Sequence, residues 1–120
     1  MEGSGAGDDV ATAKQEITTA ERKVATAKQD VATAKQDVAT AKQDVATAEQ
    51  KVAEAVDNDA QAIARQNLEF AQRARTLAHD ALETAQGALA SAIENQKFQE
   101  TILRSLLQRK LGDLHIKNLC

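Results

Sequence analysis

The sequence predicts an all-α protein, an elongated antiparallel helical hairpin of the alanine-rich coiled-coil type, and three observations carry that expectation. From Val24 the chain reads VATAKQD three times, then VATAEQK and VA, one residue type recurring at each of seven positions. A strict seven-residue period of apolar residues draws a seam down one side of an α-helix and curls it into a left-handed supercoil. The chain contains no Pro and is dominated by Ala, Gln, Glu, Lys and Leu, all strong helix formers. Asp57-Asn58-Asp59 then interrupts the pattern and divides the chain into two arms of nearly matched length.

Residues 1–9, MEGSGAGDD, hold three of the five glycines and no large apolar side chain, and are expected to form a flexible tail. Asp8 or Asp9 suits the cap of the helix that follows, because a carboxylate accepts from the unpaired first-turn N–H groups.

Helix 1 is expected over 10–56. Its first seam line is Val10, Ile17, Val24, Val31, Val38, Val45 and Val52, and its second is Ala13, Ala20, Ala27, Ala34, Ala41, Ala48 and Ala55. The flanking positions carry Lys28, Lys35 and Lys42 on one side and Asp30, Asp37 and Asp44 on the other. An all-alanine second line lets a partner backbone come close, since no long side chain holds it off. The seam residues singled out as structural are Val24, Val31, Val38, Val45, Val52, Ala27, Ala34, Ala41 and Ala48.

Residues 57–59 are expected to form the turn, because Asp and Asn bond their own backbone and favour turns and caps over helix interiors. Helix 2 is expected over 60–111, ended by Gly112, which suits a left-handed C′ position; residues 112–120 form a C-terminal tail. Helix 2 carries a wider apolar face than one seam requires. A hairpin register that pairs Val52, Val45, Val38, Val31, Val24 and Ile17 with Ile63, Phe70, Leu77, Thr84, Ser91 and Phe98 puts the larger residues of both helices in shared layers.

Beyond about residue 97 large aliphatics become dense. Phe98, Ile102, Leu103, Leu106, Leu107, Leu111 and Leu114 are expected to make the partner contact, since the last of them outrun helix 1 and uncovered Leu marks an interaction surface.

No constellation of catalytic residues is visible. His79 has Asp80 beside it and Glu83 one turn on, but no second His or Cys nearby, so a solvated helix face is the expected role. No glycine-rich phosphate loop follows a strand. The chain is expected not to be an enzyme and to need no cofactor or metal. Gly87 reads as a tolerated weak point in helix 2, and the single Cys120 cannot close an internal disulfide. The array resembles alanine-rich heptad coiled coils such as those of fibrous and bacterial envelope proteins. Its seven-residue period separates it from the eleven-residue repeats of late-embryogenesis-abundant proteins.

The net charge of −3 is unevenly divided: residues 1–60 carry seven Lys/Arg against twelve Asp/Glu, and 61–120 carry eight against six. Opposite signs favour pairing of the two arms with each other. Without a basic stripe interleaved with aromatics, nucleic acid is not an expected partner. The expected function is a structural or protein-interaction module: a scaffold, spacer or oligomerisation domain whose partner is a second copy, with pairing into a four-helix bundle, or another helical protein. The alternative is a peripheral membrane-surface segment over residues 98–119. It is basic and amphipathic, and Lys97, Arg104, Arg109, Lys110 and Lys117 outnumber Glu100 and Asp113. Composition leaves the compartment undetermined.

Overall fold

Repeated Ala, Lys, Gln and Asp give every turn of this chain a good helix former, and the heptad period supplies one apolar side along which a second helix can lie. The computed structural model describes residues 5–119, and the side chains of residues 9–113. It is an all-α helical hairpin: α1 spans Gly5–Glu54, 50 residues, and α2 spans Asn58–Leu119, 62 residues.

Both helices run further than their sequence signals suggested. The expected tail over 1–9 is helical from Gly5 onward, and residues 1–4 lie outside the described residues. Asp9 stands in the opening turns, where negative charge complements the positive end of the helix dipole. Gly112 does not end α2. No described residue has positive φ, so no left-handed cap forms, and the helix continues through the expected 112–120 tail to Leu119. One interior glycine costs about 1 kcal/mol relative to Ala, less than abandoning the ladder on both sides of it.

The turn is short and lies slightly earlier than expected, at 55–57 in place of 57–59. Asp57 is the N-cap of α2: its Oδ1 accepts from the Ala60 N–H at 2.7 Å, and its carbonyl accepts from the Gln61 N–H at 3.0 Å. Asn58 and Asp59 therefore open α2, with Asp59 adding negative charge to its first turn. The Ala55 N–H donates to the Lys51 carbonyl at 3.0 Å, and the Ala55 carbonyl accepts from Gln61 Nε2 at 3.2 Å. That last bond ties the end of one helix to the start of the next and sets their register.

Two compact units divide the chain. In the unit of residues 28–88 the buried side chains are Val31, Ala34, Val38, Ala41, Val45 and Ala48 of α1 and Ala64 of α2. Half-buried Leu68, Ala71, Ala78, Leu82 and Ala85 complete the α2 side. A shallow groove of about 230 Å³ is lined by Thr47, Ala48 and Lys51 of α1 together with Ala64, Asn67 and Ala71 of α2, which sets these two stretches side by side. Burial marks the side of α2 that is covered: the line Ala64, Ala71, Ala78 and Ala85, with Leu68 and Leu82 beside it.

The expected pairing of the Val line with Ile63, Phe70 and Leu77 does not form: those three are exposed, and the line one residue on, Ala64, Ala71 and Ala78, is the covered one. That covered face mixes alanines with Leu68 and Leu82. Large against large in every layer would have held the backbones apart.

The other unit joins the stretch up to Ala27 with the stretch from Leu89. Ala13, Ala20, Val24 and Ala27 are buried in it, and Val10, Ile17, Leu89, Ala92, Ile93, Ile102, Leu103 and Leu106 are half-buried. Its α2 side also carries a polar layer, where Gln96 Nε2 donates to Glu100 Oε1 at 3.0 Å.

Two stability measurements follow from this packing. Ala41→Leu overfills a buried seam position, so it should lower the thermal midpoint by the equivalent of about 1–3 kcal/mol, while Thr40→Leu on the exposed side should move it little. A Cβ added at Gly87 meets nothing within 4 Å, so no close approach requires the glycine. Gly87→Ala should raise stability by about 0.5–1 kcal/mol in urea unfolding.

Candidate interaction surface

On α1 the valines and one alanine of each heptad point one way. Val24, Val31, Val38, Val45, Ala27, Ala34, Ala41 and Ala48 are buried and Val52 is half-buried, while the Thr, Gln, Lys and Asp of each heptad are exposed. These nine seam residues are spent on holding the two helices together. They leave α1 with no exposed large apolar side chain among the described residues.

Helix α2 is different. Ile63 is 61% exposed, Phe70 56%, Leu77 69%, Phe98 61%, Leu107 39% and Leu111 66%, and Val56 in the turn is also open to solvent. Isolated apolar residues on a surface are ordinary, but a periodic line of large ones on a single helix is not. Each is there because the α2 seam is taken by the neighbouring lines of Ala64, Ala71, Ala78, Ala85 and Leu68, Leu82.

Of the residues expected at the C-terminal contact, Ile102, Leu103 and Leu106 are half-buried within the unit they share with the start of α1. Phe98, Leu107 and Leu111 remain exposed, and the side chain of Leu114 lies outside the described residues. Ile63, Phe70 and Leu77, expected in the core, are the exposed residues that sequence reasoning missed. The signal was present. The line through Thr84 and Ser91 breaks off after three large residues, whereas Ala64 to Ala92 continues unbroken for five heptads beside Leu68, Leu82 and Leu89.

The polar chemistry of the surface is that of helix faces. His79, Asp80 and Glu83 are exposed, and no three His, Cys, Asp or Glu among the described residues are grouped to hold a metal ion. Thr18, Thr76, Thr84 and Thr101 each turn the hydroxyl back to the carbonyl four residues earlier, at 2.9–3.2 Å. Those hydroxyls are thereby occupied within their own helix. Among the described residues no helix is long and apolar enough to cross a membrane.

Comparison of the chain with protein-family models, with curated protein sequences and with solved structures finds no match. The reading of function therefore rests on the surface itself.

The two faces of α2 are separable by mutation. Leu68→Ser removes a half-buried side chain from the covered face of α2 and should lower stability by about 1–3 kcal/mol. Phe70→Ser, two positions away and exposed, should change it by no more than about 0.5 kcal/mol in dilute monomer. Matched urea titrations of the two variants provide the check; equal losses would contradict the assigned register.

Proposed function

We propose that this chain is a structural, protein-interaction module, a helical scaffold or oligomerisation domain without enzymatic activity. One observation carries the reading: α1 buries its large apolar side chains and presents a polar exterior, while α2 presents large apolar side chains outward. A helix used only to complete a hairpin would gain nothing from exposed Phe70, Phe98 and Leu111. Each fully buried aliphatic side chain stabilises by roughly 1.5–3 kcal/mol relative to exposure, so a partner helix that covers several can hold on after the entropic cost of association.

The Leu-rich C-terminal stretch is one such contact. Phe98, Leu107 and Leu111 supply its exposed apolar area, and Leu103 and Leu106 lie beside them half-buried. The occupant is another helix, from a second copy or from a different helical protein. Four cationic residues, Lys97, Arg104, Arg109 and Lys110, accompany the leucines, which suits an acidic partner face.

Replacing Leu107 and Leu111 together with Glu should lower the mass of the wild-type assembly in sedimentation while helicity is kept, since both residues are exposed. An unchanged assembly would place the contact elsewhere on α2. Flotation of the wild type, but not the double variant, with anionic vesicles would assign the stretch to a membrane surface.

A further inference from the structure

The outward side of α2 beside the turn has the layout of a second helix seam. Ile63, Phe70 and Leu77 recur every seven residues, and Ala60, Asn67, Ala74 and Ala81 stand three before or four after them. Apart from half-buried Ala60, all of these are exposed. Five of these seven sit one position before a residue of the inner seam: Ile63 before Ala64, Asn67 before Leu68, Phe70 before Ala71, Leu77 before Ala78 and Ala81 before Leu82. One position turns an α-helix by about 100°. The two seams of α2 thus look out roughly at right angles, as on a helix that touches two neighbours in a four-helix bundle.

We propose that a second copy of this chain covers the outer seam, with the two α2 helices antiparallel over residues 60–84. The proposal goes beyond the contact at the C-terminal end, because it concerns a different stretch and names its occupant.

Three features select a second copy. The first is shape. Antiparallel pairing that sets Phe70 against the partner's Ala74, Ile63 against the partner's Ala81 and Leu77 against the partner's Asn67 matches a large apolar side chain with a smaller one in every layer. Because such a contact is isologous, the twofold axis repeats each layer. The second is charge. Glu69 and Arg73 are exposed along the solvent edge of the stripe, where a shallow groove is lined by Glu69, Arg73, Thr76 and Leu77. In that register Arg73 lies about 3 Å along the axis from the level of the partner's Glu69, and the symmetry makes the ion pair twice. The third is area. Ile63, Phe70 and Leu77 are each more than half exposed, so one helix laid along the stripe covers all the large apolar surface α2 leaves open over residues 60–84. The outer face of α1, which exposes no large apolar side chain, offers no equivalent seam.

The test uses the full chain in sedimentation at about 100 µM, a concentration at which a micromolar dimer is nearly saturated. With Leu107→Glu and Leu111→Glu both present, to remove the C-terminal contact, the chain should still sediment at about twice its 12.8 kDa. Adding Phe70→Glu should return it to monomer, with circular dichroism confirming that the helices remain. A monomer before Phe70 is changed, or a dimer after, overturns the proposal without touching the contact at the other end. Direction is read by cysteine cross-linking in a Cys120→Ser background. Asn67→Cys mixed with Leu77→Cys should give a mixed disulfide dimer, while each variant alone gives little. Strong cross-linking of each alone, with little mixed product, is the parallel pattern and also overturns the proposal.

Discussion

Close approach of two small-residue helix faces is the constraint on which the rest of this structure depends. Alanine has little area to bury, so no single layer is worth much. Its value lies in distance: an alanine line lets the opposite backbone and its leucines come near enough for dense dispersion contact. The covered face of α2 is of that kind, with Ala64, Ala71, Ala78 and Ala85 in one line and Leu68 and Leu82 beside it, and it meets an α1 face of valines and alanines. A stabilising contact this thin must be repeated, and the heptad array repeats it.

Repetition leaves the register undecided, because sliding α1 by one heptad places nearly identical residues in every layer. The turn breaks that degeneracy. Asp57 caps α2 through Ala60, and Gln61 reaches back to the Ala55 carbonyl, so two helix ends that would otherwise leave polar groups unpaired satisfy each other at a single alignment. Local hydrogen bonds at the hairpin tip thus select among long-range packings that the core alone cannot distinguish.

The same geometry separates the roles of the helices. Helix α1 has one apolar seam and uses it on α2. Helix α2 has two, offset by one residue, and α1 fills only one of them. Exposed Ile63, Phe70 and Leu77 are what remains when the hairpin is complete, and the reading of the chain as an interaction module grows from that surplus.

From the sequence alone came the helical class, the two-arm layout, and the α1 seam of valines and alanines, since all three rest on local propensity and a period that one helix displays by itself. The helix ends were less legible: Gly7 and Gly112 look like breakers, yet both lie inside their helices. Which side of α2 faces α1 was decided only in the tertiary structure. Lines through Phe70 and through Ala71 are both apolar, and hydrophobicity favours the one with larger residues. The covered line is that of Ala71, which runs on to Ala92 while the Phe70 line lapses at Thr84 and Ser91; that continuity is in the sequence, but only the packing of two surfaces decides that it outweighs side-chain size.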